Sequence, residues 1–88
     1  MKLIFTIISD TDNEPVSQAL ITAGFRVTRI ASTGGFFRRG SSTLVMGVDD
    51  DKVDPAIEVV RKSVSPTPEH GLHGATIFVM NVEDYTQI

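Results

Sequence analysis

The sequence predicts an α+β fold whose strands and helices follow the order β-α-β-β-α-β. Two observations carry this prediction: a pair of amphipathic helical patterns, and four segments rich in Ile, Val and Phe around them. The chain has 88 residues, of which 41% are hydrophobic and 22% charged. This size and composition are typical of one globular domain, so we expect a single domain over residues 1–88.

The first strand is predicted over residues 2–8, which are rich in Ile and Phe. A helix is predicted over residues 13–23, where apolar side chains recur at i, i+3, i+4 and i+7. Pro15 fits this helix if Asp12 is the N-cap, because the third helical residue needs no intrahelical donor. Gly24 is the expected stop at the helix C-terminus.

The second strand is predicted over residues 25–32. Along such a strand Arg26 and Thr28 share one face, whereas Arg29 points to the other. The Gly- and Ser-rich residues 33–42 are then expected to form a loop, since they are too polar for a strand interior.

The second half of the chain repeats the pattern. Residues 43–48 are predicted to form the third strand, and the acidic residues 49–51 open the second helix, where carboxylates suit the helix dipole. Pro55 indicates that regular helix begins at Asp51 or later. A short loop follows over residues 63–74, and residues 75–82 form the last strand.

Two βαβ crossovers that each skip one strand position give a ferredoxin-like fold, a four-stranded antiparallel sheet with both helices on one face. The other face should be polar in a monomer. Yet the first strand offers Ile4 and Ile8 on one face and Leu3, Phe5 and Ile7 on the other. We therefore expect the face without helices to pack against other copies of the chain. The pattern leaves open which face that is.

Charge is distributed unevenly along the chain. The net charge is −3, but residues 15–48 contain four arginines and no acid. Arginine can donate two parallel hydrogen bonds to a phosphate or a carboxylate. Four arginines on a surface can also serve only to keep the protein soluble. We do not expect nucleic-acid binding, because the overall balance is acidic. Without cysteine or a long apolar run, the chain is expected to be a soluble cytoplasmic protein that does not enter membranes.

The loop over residues 33–42 has the most distinctive chemistry. Its adjacent glycines can turn several backbone amides toward one anion, and Phe36 and Phe37 follow. An aromatic ring beside an anion nest suits a nucleotide, and Arg26 with Thr28 can reach the same ligand. A plain glycine hairpin whose phenylalanines pack on a neighbouring subunit is the simpler explanation of these residues alone.

Other chemistry is not expected. His70 and His73 are three apart, but metal binding would need further ligands. The acids at residues 49–51 are explained by helix capping without a cation. No nucleophile motif or phosphate-binding loop of the Walker type is present, so we predict neither a metal site nor an enzyme.

Several of these segments carry a resemblance to a known family. They are residues 25–28, 31–36, 47–54 and 74–80, with Arg38 and Gly40, and their core is Thr-Gly-Gly-Phe at residues 33–36. The chain resembles the PII-like cyclic di-AMP receptor family, of the DarA or PstA type. The resemblance implies a homotrimer of ferredoxin-like subunits, each cleft between neighbours holding one cyclic dinucleotide, with no other cofactor and no catalysis.

The resemblance also implies site residues. Arg26 and Thr28 correspond to strand residues that hold phosphate and base. Gly35 and Phe36 correspond to the loop whose amides and ring embrace the ligand. Gly47 corresponds to a position where only backbone fits beside the ligand.

Three further positions match less closely. Gln87 corresponds to a polar tail residue near the site, Phe37 stands where the family usually has an aliphatic residue, and Ser41 where it often has asparagine. The family normally has a long loop between the second helix and the last strand, whereas here the connection is only residues 63–74. That difference bears on how the signal is read more than on the pocket.

The expected function is therefore that of a receptor for cyclic di-AMP that passes its signal to an unidentified protein. One alternative is a PII-like sensor of another adenine nucleotide, ATP or ADP. A linear triphosphate would call for more cationic contacts and a magnesium ligand than the loop offers. The other alternative is a structural trimer that acts as an interaction module without a small-molecule ligand.

Overall fold

The computed structural model describes residues 1–31, 40–65 and 74–88. Its elements are β1 (Lys2–Ser9), α1 (Asn13–Thr22), β2 (Thr28–Ala31), β3 (Ser41–Val48), α2 (Val53–Ser63) and β4 (Ala75–Asn81). A short 3-10 turn precedes each helix, at Asp10–Asp12 and at Asp50–Lys52. The predicted order β-α-β-β-α-β is confirmed.

The four strands form one antiparallel sheet in the order β2-β3-β1-β4. This is the ferredoxin-like arrangement, in which each helix connects strands that are not neighbours. Both helices pack on the same face of the sheet. The core beneath them consists of Ile4, Ile8, Val16, Leu20, Leu44, Met46, Val48, Ala56 and Val60.

The opposite face of the sheet, which we call the open face, is also largely apolar. The strand register places on it Leu3, Phe5, Ile7, Val45, Phe78 and Met80. At the β4 edge, Phe78 and Met80 are 47% and 48% exposed. The question that the sequence left open is thereby answered: Ile4 belongs to the core, and Leu3 to the face without helices.

The starts of two strands differ from the prediction. β2 begins at Thr28 rather than at residue 25, yet Phe25 and Val27 still pack against the core while Arg26 is exposed. The alternation that suggested a strand is thus real, but pairing with β3 begins only at Thr28. β3 begins at Ser41, two residues before its predicted start, since Ser41 pairs with Ser9.

Both helices begin as their prolines predict. α1 starts at Asn13 with Asp12 as its N-cap residue, which makes Pro15 the third helical residue. α2 starts only at Val53, after the 3-10 turn, and Pro55 again occupies the third position. Neither N-cap side chain bonds to its own helix, so the Asp12 carboxylate is available for another role.

Candidate functional site

The turn between α1 and β2 sets the position of Arg26. Gly24 has a φ of 95°, a conformation that other residues rarely adopt. The Phe25 amide donates to the Leu20 carbonyl at 2.9 Å and the Gly24 amide to the Ile21 carbonyl at 3.0 Å, a Schellman motif. Because Phe25 then packs against the core, the next residue, Arg26, is directed toward solvent.

A second turn follows β3 at the same end of the sheet. The Lys52 amide donates to the Asp49 carbonyl at 2.8 Å, which closes the 3-10 turn ahead of α2. The N-terminal ammonium lies 3.0 Å from the Asp50 carboxylate. Its hydrogen bond and its positive charge hold the pKa of Asp50 below the usual value.

These two turns and the N-terminus enclose an open cleft of about 610 Å³. It is lined by Arg26 from the first turn, by Asp49 and Lys52 from the second, and by Gly47 near the end of β3. The fold thus brings together two of the predicted site residues, Arg26 and Gly47, that are 21 positions apart in the sequence. We call this end of the sheet the cleft end.

Gly47 leaves little room at the cleft. A Cβ atom built on it would lie 2.7 Å from the terminal methyl of Met1. That methyl is the far end of a flexible side chain and can move aside. The fold of one chain therefore does not by itself require glycine at this position.

The cleft is cationic despite its acidic neighbours. Within the described residues, the ion pairs join the N-terminus to Asp50 and Arg61 to Glu58. Arg26 and Lys52 take part in neither, so both charges stay open to an anion. The sequence-based prediction includes Lys52 in the segment 47–54 that carries the resemblance but gives it no role in the site, although it is the one basic residue in the acidic run over residues 49–54.

The remaining predicted residues are distributed as follows. Thr28 is exposed on β2 and pairs with Val45, so it lies on the open face with Gly47. Ser41 is 8% exposed at the start of β3. Gln87 is exposed in the tail after β4. Gly35, Phe36 and Phe37 lie outside the described residues.

Ser41 and Gly47 are at opposite ends of β3. Six residues of extended strand separate them, which corresponds to about 20 Å. The predicted site residues therefore fall into two groups, one at the cleft end and one at the end of the sheet where β3 begins.

That second end, which we call the turn end, is organised by the Asp10–Asp12 turn. The Asp10 amide donates to the Gly40 carbonyl at 2.7 Å, and the Ser42 hydroxyl donates to the Asp10 carboxylate. The buried Asp12 carboxylate accepts from the Ser65 amide at 3.2 Å and from its hydroxyl at 2.6 Å. One turn thus holds both the start of β3 and the chain leaving α2.

The part of the chain that the structure describes contains neither a candidate metal site nor a candidate membrane-spanning helix. In residues 1–31, 40–65 and 74–88, no group of His, Asp and Glu side chains is placed to hold a metal ion. His70 and His73 lie outside those ranges. The helices found within them are too short and too polar to cross a membrane.

Comparison with known proteins decides the family. Residues 1–67 match the cyclic-di-AMP receptor family. The chain belongs to this family. The match confirms the predicted resemblance and includes every predicted site residue except Gln87. A receptor is a binding protein, so membership supports ligand binding rather than catalysis.

A solved structure supports the fold. The chain is similar to the crystal structure of a functionally unknown protein from Pediococcus pentosaceus, with a TM-score of 0.79 and 25% sequence identity. The match covers 99% of this chain and 96% of that one. The two therefore share the ferredoxin-like fold nearly from end to end.

Proposed function

We propose that this protein is a signal-transduction receptor that binds cyclic di-AMP in clefts between the subunits of a homotrimer. The observation that carries the proposal is the cleft end. There the fold of a cyclic-di-AMP receptor family member brings together Arg26 and Gly47, around a space open to a ligand. An unpaired arginine there can donate two parallel hydrogen bonds to a phosphate.

The separation of the two residue groups supports a site between subunits. Arg26 and Gly47 are at the cleft end, whereas Ser41 is about 20 Å away along β3. A single ligand in contact with both groups of one subunit would have to span most of that distance, whereas a compact ligand can meet both groups only where two subunits adjoin. If all these residues touch one ligand, they come from two neighbouring copies.

The open face supports self-association. In a monomer it would leave Leu3, Phe5, Val45, Phe78 and Met80 on a surface without helices. Burying apolar area of this kind is the main driving force for association. A trimer built on this face would also bring different ends of neighbouring sheets close together.

Within such a site each residue has a physical role. Arg26 holds a phosphate, and the hydroxyl of Thr28 bonds to a base. The backbone amides at Gly35 donate hydrogen bonds to a phosphate oxygen, while Phe36 stacks on a base. Ligand binding then changes the arrangement of residues 34–42, and a partner protein responds to that change.

Calorimetric titration against adenine and guanine nucleotides tests the ligand. Cyclic di-AMP should bind the wild type more tightly than ATP or ADP. Arg26→Ala should weaken binding roughly 10- to 150-fold, the worth of a charge-assisted hydrogen bond. Arg29→Ala is the control, because Arg29 pairs with Leu44 and so faces the helix side of the sheet. Equal binding by the two variants would contradict the assigned role of Arg26.

The loop gives a second set of variants for the same titration. Phe36→Ala should lose a stacking contribution of about 1–3 kcal/mol. Gly35→Val should be the harshest change, because a β-branched residue tolerates neither a positive φ nor close approach of the ligand. If no variant differs from wild type, and no cyclic dinucleotide binds at hundreds of micromolar, the structural-trimer alternative takes its place.

The trimer is tested by mass. Light scattering should give a mass near three times 9.6 kDa. Leu3→Lys should yield folded monomers, because a charge on the open face opposes association. Ile4→Lys is the contrast: Ile4 is fully buried in the core, so this variant should unfold. A wild type that is monomeric at micromolar concentration would refute both the trimer and a site between subunits.

A further inference from the structure

We propose that Lys52 is a second phosphate-binding residue of the cleft, acting on the same ligand as Arg26. The inference rests on the proposed function, since it assigns a residue to that same site. The charge pattern did not point to Lys52, and the family resemblance includes it within residues 47–54 without giving it a role. Its place in the folded chain does.

The first observation is position. Arg26 lines the cleft from the turn after α1, and Lys52 lines it from the turn after β3. The two cations therefore border one cavity although they belong to separate segments of the chain. A dinucleotide has two phosphates, and two cations that line one cleft can each neutralise one.

The second observation is rigidity. The Lys52 amide donates a hydrogen bond to the Asp49 carbonyl at 2.8 Å, and Lys52 is the N-cap residue of α2. Its Cα position is thus fixed relative to β3 on one side and to α2 on the other. Because the backbone of Lys52 is already fixed, only its side chain must become ordered when a ligand binds.

The third observation is the charge around Lys52. Three carboxylates precede it, at residues 49–51, and Asp49 itself lines the cleft. Asp50 is occupied by the N-terminal ammonium at 3.0 Å. Among the described residues Lys52 has no carboxylate within ion-pair distance. It is thus the group that offsets the Asp49 charge when a phosphate enters.

Titration of cyclic di-AMP into four proteins tests the inference: wild type, Lys52→Ala, Arg26→Ala and Lys62→Ala. Lys62 is the matched control, an exposed lysine near the other end of α2 that does not line the cleft. Lys52→Ala should bind roughly tenfold more weakly, or worse. Lys62→Ala should stay within about twofold of wild type, because solvent and salt screen a distant charge.

Two further measurements separate a direct contact from other causes. Lys52→Arg should recover much of the lost affinity, since it restores the charge. Thermal unfolding of Lys52→Ala should match wild type, because no hydrogen bond of the folded chain depends on this side chain among the described residues. A lower unfolding temperature with unrecovered binding in Lys52→Arg would make Lys52 structural and overturn the inference.

The outcomes distinguish this inference from the function beneath it. If wild type binds and Arg26→Ala does not, while Lys52→Ala binds like wild type, the role of Lys52 is refuted and the receptor function stands. Equal losses in Lys52→Ala and Lys62→Ala would refute it too, since they would reflect total charge alone. If wild type fails to bind cyclic di-AMP, the receptor function itself is refuted, and the role of Lys52 with it.

Discussion

The charged side chains at the two ends of the sheet differ in whether other residues of the chain bond to them. At the turn end, Asp10 and Asp12 are bonded to Ser42 and Ser65, and Asp12 is buried. At the cleft end, Arg26 and Lys52 border an open cavity without an ion pair among the described residues. Charges with internal partners belong to the fold, whereas charges without them are free to meet a ligand.

The difference follows from the cost of burial. A carboxylate removed from water is tolerated only if hydrogen bonds replace its hydration, as the Ser65 amide and hydroxyl do for Asp12. An exposed cation keeps its water and costs the fold little. We therefore expect changes at the turn end to alter stability, and changes at the cleft end to alter binding.

The largest effect on stability is expected from Asp12→Ala. The change removes both acceptors of Ser65 and leaves its amide without a partner where the chain leaves α2. We expect a loss of roughly 1–3 kcal/mol in the free energy of unfolding. Urea unfolding at a fixed protein concentration measures it, with the exposed Glu83→Ala as control. Equal stability of the two variants would show that the turn end does not hold α2 in place.

A smaller effect is expected from Ser42→Ala. The fully buried Ser42 hydroxyl donates to Asp10, which is only half-buried and can bond to water instead. The expected loss is about 1 kcal/mol. Ser17→Ala provides the comparison: its hydroxyl bonds to Asn13 over a longer 3.4 Å, and alanine favours the helix. A variant Ser17→Ala less stable than Ser42→Ala would contradict the importance of the link to Asp10.

The fold could be predicted where local chemistry decides it. Gly24 ends α1 through its positive φ, and Pro15 and Pro55 place both helix starts. The boundaries of β2 and β3 could not be placed as well. They depend on pairing between strands, such as Ser9 with Ser41, which no local pattern records.

The open face shows a second limit of sequence patterns. Ile4 and Leu3 are equally apolar neighbours on β1, so periodicity identifies two apolar faces without ranking them. Only the packing of both helices against Ile4 shows which face is covered.

Part of the candidate site could be predicted from the sequence, and part depends on contacts between distant segments of the chain. Arg26 was predicted from its shared strand face with Thr28 as well as from the family's motifs, and Gly47 from the motifs alone; the fold brings both to one cleft. No role was predicted for Lys52, because its place in the same cleft as Arg26 depends on how two distant turns meet. Asp12 was predicted as a helix cap, but its side chain bonds to Ser65, 53 residues away.

Arg26 and Lys52, which have no ion pair among the described residues, allow a sharper test of the difference between the two ends. Arg26→Ala and Lys52→Ala should each change the free energy of unfolding by less than about 0.5 kcal/mol, as is usual for exposed positions without partners. Urea unfolding of the ligand-free protein, in the same buffer as Asp12→Ala, is the measurement. A loss as large as that of Asp12→Ala would mean that the cleft end also stabilises the fold, and the contrast between the ends would fail.

The smallest effect is expected at Asp50, the acid of the cleft end that pairs with the N-terminal ammonium. The N-terminal ammonium lowers the pKa of Asp50, so its ionised form is favoured in the folded state. This stabilisation is present above the ordinary aspartate pKa and is lost as the pH falls through the lowered one. Asp50→Asn should thus be slightly less stable than wild type near neutral pH and equal to it in strong acid.

Asp51→Asn is the matched control for that measurement, because Asp51 is exposed in the same 3-10 turn and has no ion pair among the described residues. The helix dipole acts on both positions, so the difference between the two variants isolates the N-terminal pair. Added salt should reduce that difference, since the pair is exposed. If Asp50→Asn instead loses stability as the pH falls, relative to wild type, the pair does not act through the Asp50 charge, and the cleft end has no internally satisfied acid.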